Sequence, residues 1–160
     1  MTRPDIGPAE FRQLLGRFAT GVTVVTALDA KGRPHGMTAN SLSSISLDPP
    51  LILVAIEKIA VLHPVIIATN HFVINILEAG QETLSRRFAR KDDDRFDGIG
   101  YARTTEGVPV LDGVLAHIEC ERWALHDAGD HTIVIGRVTG GAVGEGRPLA
   151  YFRGGYTGLA

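Results

Sequence analysis

The stretch "GMTANSLSSISLDPPLILVAI", residues 36–56, sets the hydroxyl or amide side chains of Thr38, Asn40, Ser41, Ser43, Ser44 and Ser46 directly before a strongly apolar run. "LILVAIE" is short, continuous and aliphatic, the pattern of a buried strand. Pro49 and Pro50 keep the residues before them out of a helix. The polar cluster is therefore expected at or beside a strand end.

The segments on either side also read as strands. "GVTVVTAL" (residues 21–28) is β-branched and is followed by "DAKGRP", whose Asp, Gly and Pro favour a reversal, so "HGMTANS" returns as the second arm of a hairpin. Before it, residues 8–19 place Phe11, Leu14, Leu15 and Phe18 at helical spacing, with Pro8 suited to a first turn. After it, Pro64 opens a short helix through Ala68, Asn70 ends it, and "FVINIL" is the next strand. "GQETLSRRFA" is helical, with Leu84 and Phe88 stacked at i and i+4.

From residue 90 to 113 neither period holds, and charges, glycines and a proline indicate a long surface excursion of the kind that often carries function. Residues 114–125 alternate Ala116, Ile118 and Cys120 against His117, Glu119 and Glu121. "DAGDH" then turns this strand into "HTIVIGRVTGGAV". The total is about six or seven strands, mostly joined as hairpins, plus two or three helices. The absence of a regular strand and helix alternation argues against a doubly wound sheet, and an antiparallel barrel is the natural closure that hides the sheet edges. The expected fold is mainly β with flanking helices, as one domain over residues 1–160.

Composition narrows the function. In a chain of 160 residues, 16 basic against 18 acidic side chains give a formal charge of -2, with no basic patch for nucleic acid or an anionic membrane. The single Cys120 has no internal disulfide partner, and "MTRPDIGPAEF" lacks the apolar core of a secretory signal, so a cytoplasmic setting is expected. The apolar stretch at residues 61–77 is broken by His63, Pro64, Asn70 and His71 and is too short to cross a bilayer.

"GIGYAR" and "GEGRPL" each lack the third glycine of a dinucleotide-binding turn, and no phosphate-binding G-x-x-x-x-G-K-[ST] loop occurs. The histidines lack H-E-x-x-H spacing, one cysteine cannot build a zinc ribbon, and no serine sits in G-x-S-x-G, so neither a metal nor a serine nucleophile is expected. The Ser, Thr and Asn cluster can supply backbone N–H groups and short side-chain donors and acceptors to a large planar polar heterocycle. It can equally serve a turn before the two prolines, and pattern alone accommodates both.

Five pieces, in order, add a resemblance: "FATGVTVVT", "GMTANSLSSISLDPPLILV", "FVINIL" followed by "LSRRFA", "GDHTIVIGRV" and "PLAYFRGGY". Together they resemble the short-chain flavin reductase family over nearly the whole chain. The resemblance implies an FMN-binding split β-barrel, usually a homodimer, in which NADH or NADPH reduces FMN or FAD. The reduced flavin then passes to a partner flavin-dependent monooxygenase.

By the same resemblance, Thr38, Ala39, Asn40 and Ser41 lie along the isoalloxazine, and Ser44, Ile45 and Ser46 continue along the ring edge and ribityl chain. Lys58 falls near the flavin phosphate. The family commonly follows this lysine with a serine or threonine, whereas Ile59, Ala60 and Val61 stand here. Phe88, Ala89 and Arg90 match a segment that closes over the flavin, where Arg90 can replace the missing hydroxyl groups. Arg86, Arg87, Arg95 and Arg103 are further candidates for phosphate contact.

His131, in "GDH", matches the family histidine that meets the nicotinamide, and Tyr156 is placed to flank the same pocket. For Phe88 and Tyr156, ordinary packing explains the residue equally well. Two alternatives are a split-barrel flavoprotein that keeps its flavin as an electron carrier, and a flavin sensor without a nicotinamide site. No residue can be assigned to the ribose 2′ position, so the sequence leaves NADH against NADPH open, and likewise FMN against FAD.

Overall fold

The computed structural model describes residues 4–92 and 94–160. Helix α1 (Pro8–Leu15) starts at the proline, whose fixed φ suits a first turn, and stops where Gly16 donates to the Arg12 carbonyl at 2.9 Å. It is shorter than the apolar spacing predicts, because the chain bends after Gly16, and none of its residues is buried. The strands β1 (Thr20–Gly21), β2 (Thr23–Leu28), β3 (Pro34–Ala39), β4 (Ser43–Leu47) and β5 (Pro50–Glu57) follow. Beyond the short α2 (His63–Ile66) come β6 (His71–Ile76), α3 (Glu82–Phe88), β7 (Tyr101–Arg103) and β8 (Pro109–Leu111). The chain ends in the long strands β9 (Ala116–Ala128) and β10 (His131–Val143) and the short β11 (Ala150–Phe152) and β12 (Gly155–Thr157).

Seven strands form one antiparallel sheet in the order β3-β2-β6-β9-β10-β5-β4, with a three-stranded sheet β1-β11-β12 and a two-stranded β7-β8 hairpin beside it. The outer strands β3 and β4 are consecutive in the chain, so the sheet must curl for the short link between them to join its two edges. At that link the Ser41 hydroxyl donates to the Ala55 carbonyl at 3.1 Å and accepts from the Ala55 N–H at 3.0 Å. The result is a split barrel, bridged rather than closed by a strand pair.

β2 is buried on both faces, and its period of two divides it between two cores. Val25 and Ala27 join Ile52, Val54, Ile56, Phe72, Ile74 and Val134 inside the barrel, while Val22, just before the strand, and Val24 join Leu77, Phe88, Leu111 and Leu149 outside it. The buried Asn75 carboxamide knits the layers: it donates to the Val24 carbonyl at 2.9 Å and to Thr26 Oγ1 at 3.1 Å, and accepts from the Leu111 N–H at 2.9 Å. A bulge in the β9–β10 ladder follows Ile135, and there Gly136 is required, since a Cβ would stand 2.5 Å from the Phe72 ring.

Three expectations need correction. The predicted excursion over residues 90–113 contains the β7–β8 hairpin, and it buries Val108 and Leu111. Strands of three residues are too short for alternation to show. The polar cluster does not merely flank a strand, because Ser43–Leu47 is itself edge strand β4, bulged between Ser44 and Ser46. Among the described residues twelve strands replace the six or seven expected, mostly through short additions such as β1, β11 and β12.

Candidate active site

A groove of about 230 Å³ opens where β3 ends. Five of the residues singled out in the sequence meet there: Thr38, Ala39 and Asn40 from β3 and its exit, Ala89 from the end of α3, and Tyr156 from β12. Val22 and Tyr151 complete the lining and escaped the sequence reading. Tyr151 and Tyr156 are register partners across the β11–β12 hairpin, and their rings meet edge to face at 5.4 Å. Reading "YFRGGY" as a hairpin would have paired them.

The groove wall is held from behind. Thr38 Oγ1 donates to the Ser85 carbonyl at 2.6 Å, and the Ala39 carbonyl accepts from Thr23 Oγ1 at 2.7 Å. Asn40 is exposed, and the N–H groups of Asn40, Ser41 and Leu42 have no hydrogen-bond acceptor among the described residues. This row of unused backbone donors follows from the link leaving β3 before β4 begins.

Ser41 spends its hydroxyl on Ala55, so only its backbone is left for a ligand. Ser44, Ile45 and Ser46 lie on β4, beyond the groove, with Ser44 and Ile45 exposed and Ser46 half-buried. Phe88 sits in the outer core, edge to face with Phe96 at 5.0 Å and close against Gly36, so its ring seats α3. Arg90 is exposed in a separate shallow depression shared with Arg87 and Arg95.

The other arginines are engaged elsewhere. Arg87 and Arg95 donate to backbone carbonyls, Arg95 to that of Gly36 at 2.7 Å. Arg103 donates to the Gly107 carbonyl at 2.8 Å. Arg86 pairs with Glu82 and lies over the Tyr156 ring, 4.9 Å from its centroid.

His131 and Lys58 stand at one end of β5 and β10. His131 pairs in register with Glu57, and the Lys58 N–H donates to the Asp130 carbonyl at 2.9 Å. The His131 Nδ1 lies 2.7 Å from the Asp130 carboxylate, which this contact holds below the usual carboxylate range. Lys58 Nζ is ion-paired with Asp127. Ser41 bonds Ala55, Ala55 pairs with Ile133, and His131 is two residues further along, about 7 Å by strand rise. Through this contact the β3–β4 link, with its unused donors, is tied to the strand pair that ends in the histidine.

The donor set suits a flavin: backbone N–H groups and the Asn40 carboxamide for a polar ring edge, and aromatic walls for a flat ring. Among the described residues no lysine or arginine lines the groove itself. Among the described residues no group of three or more His, Cys, Asp or Glu side chains is arranged to hold a metal ion.

Residues 15–160 match the family described as flavin reductase like domain. The FMN reductase (NADH) SmoA of Agrobacterium fabrum is 49% identical over 146 residues, covering 91% of this chain and 83% of that protein. The flavin-dependent monooxygenase reductase subunit HsaB of Rhodococcus jostii is 40% identical, covering 96% of this chain and 79% of its own length. Some other relatives are longer, the chain spanning 65% and 50% of two from Rhizobium meliloti. Among solved structures, the NADH:FAD oxidoreductase SgcE6 of Streptomyces globisporus, in complex with NAD and FAD fragments, superposes with a TM-score of 0.91. It is 37% identical, and the alignment covers 99% of this chain and 98% of that one. With a match that runs from Leu15 to the last residue, the chain belongs to the flavin reductase-like domain family.

Proposed function

We propose that this chain, working as one domain over residues 1–160, uses NADH to reduce FMN or FAD and hands the reduced flavin to a separate flavin-dependent monooxygenase. NADPH is the second candidate donor. One observation carries the reading: a groove edged by unused backbone donors is tied through Ser41 and Ala55 to the strand pair that ends in a histidine held by its neighbouring carboxylate. The relatives named for NADH-dependent flavin reduction and for a monooxygenase reductase subunit support it.

When both are bound, the nicotinamide supplies a hydride from C4 and the flavin accepts it at N5. The chain's own work is positioning and exclusion of water. Asn40 and the N–H groups of residues 40–42 supply donors for the ring edge, and Tyr151 with Tyr156 walls the groove. Asp130 occupies Nδ1 of His131, which leaves Nε2 to hydrogen-bond a carboxamide. Ser44, Ile45 and Ser46 on β4, with Lys58 and Arg90, are assigned to the ribityl and phosphate end. For Lys58 this requires giving up its pair with Asp127.

The groove favours a flavin that leaves over one that is retained. At about 230 Å³ it is smaller than the roughly 300 to 1,000 Å³ of pockets that enclose a ligand. Gel filtration of the protein mixed with FMN tests this: flavin eluting free is expected, and a stoichiometric yellow protein would favour the electron-carrier reading.

We also infer a homodimer and a cytoplasmic setting. Phe11, Leu14, Leu15 and Phe18 on and after α1 are each more than half exposed, and an apolar stripe of this width is normally covered. Light scattering reads the mass directly. Cys120 is buried and unpaired, as a reducing compartment allows, and among the described residues no helix is long and apolar enough to cross a membrane.

A further inference from the structure

Ser85, on α3, is fully buried and makes contact on both sides of the groove. Its carbonyl accepts from Thr38 Oγ1 at 2.6 Å, and its Oγ lies 2.8 Å from the Tyr156 hydroxyl. Thr38 belongs to β3 of the main sheet and Tyr156 to β12 of the small one, so a single helical residue joins the two sheets that line the groove.

The direction of the second bond matters. Among the described residues the buried Ser85 hydroxyl has one hydrogen-bond partner, the Tyr156 oxygen. A buried O–H without an acceptor is costly, whereas Tyr156 is only half-buried and borders the groove. The arrangement that satisfies both has Ser85 donating, and the phenolic proton is then free for a ligand. Arg86 over the ring and Tyr151 against its edge fix the ring while the hydroxyl is aimed.

We propose that Ser85 is a positioning residue for flavin binding: by donating to Tyr156 it sets the groove width and turns the Tyr156 O–H toward an acceptor atom of the flavin. This rests on the flavin reductase reading above, and nothing in it requires Ser85 to touch the ligand.

The test measures FMN affinity by quenching of flavin fluorescence, with melting temperature as a control, for the unaltered protein, Ser85→Ala, Tyr156→Phe and the double variant. Each single change is expected to weaken FMN binding about five- to tenfold, the effect of losing one hydrogen bond. The double variant is expected to be no weaker than either single one, because both remove the same bond.

Unchanged FMN affinity in Ser85→Ala, or losses that multiply in the double variant, would overturn the proposal. So would a loss that merely follows a lowered melting temperature in Ser85→Ala while Tyr156→Phe binds normally. Failure of the unaltered protein to bind flavin at all is a different result, and it would remove the reductase reading itself.

Discussion

The hydroxyl of Ser41 both donates to the carbonyl of Ala55 and accepts from its N–H, at 3.1 and 3.0 Å, and so joins the β3–β4 link to β5. Few side chains can satisfy one residue's donor and acceptor together, and here the pair bridges the split in the barrel. Ser41→Ala should lower stability by about 1 to 2 kcal/mol, since it leaves two partly buried backbone groups to find other partners. Denaturant unfolding reads the loss, and a midpoint unmoved from the parent would show that the split is held elsewhere.

In the proposed mechanism His131 orients the nicotinamide through a hydrogen bond and forms no covalent bond to it. His131→Ala should slow flavin reduction by on the order of tenfold to a hundredfold without ending it, the scale of a lost positioning contact. Stopped-flow absorbance of the flavin separates this from binding. Kinetics unchanged for both NADH and flavin would take this histidine out of the mechanism.

Asp29 governs the β2–β3 turn. It accepts from the backbone N–H groups of Lys31 at 2.8 Å and Arg33 at 3.0 Å, and from the side chains of Arg33 and His35. The Arg33 N–H first, then the His35 and Arg33 side chains, hold its carboxyl well below the usual range against some desolvation. A carboxylate lowered in the folded state stabilises fully above its unfolded value of about 3.9, and the contribution is lost as pH falls through the folded value. The melting temperature of Asp29→Asn should therefore lie below the parent's at pH 7, and the gap should close as pH falls below about 4. A gap independent of pH would mean that the charge of Asp29 is not what holds the turn.

Cys120 lies inside the barrel, and burial, aided by nearby Glu119, pushes its thiol up to about 12. Since the thiolate is the reactive form, an aromatic disulfide reagent at pH 8 should modify it only after unfolding. Rapid labelling of the folded protein would contradict the placement.

Much of the fold was legible because its long elements carry strong periods. The alternation of Ala116, Ile118 and Cys120 marks β9, the β-branched run marks β2, and the turns at Asp29 and Asp130 were visible as reversals. The short strands β7, β8, β11 and β12 were not, since three residues fit either period and their register comes from tertiary partners.

In the site, resemblance supplied positions and expected roles, and packing decides which of these side chains reach the groove. Phe88 looks the same in sequence whether it faces a ligand or Gly36, and only the packed α3 shows the latter. Ser85 carried no signal at all, because its importance lies in what stands on each side of it, Thr38 and Tyr156, which are 47 and 71 residues away along the chain.

The most direct measurement is NADH oxidation by the purified protein, followed by absorbance without flavin, with FMN and with FAD. Saturable oxidation that depends on added flavin, from a protein with no visible spectrum of its own, is the predicted result. A protein that carries flavin yet does not oxidise NADH or NADPH, or one that oxidises them equally well without flavin, would contradict it.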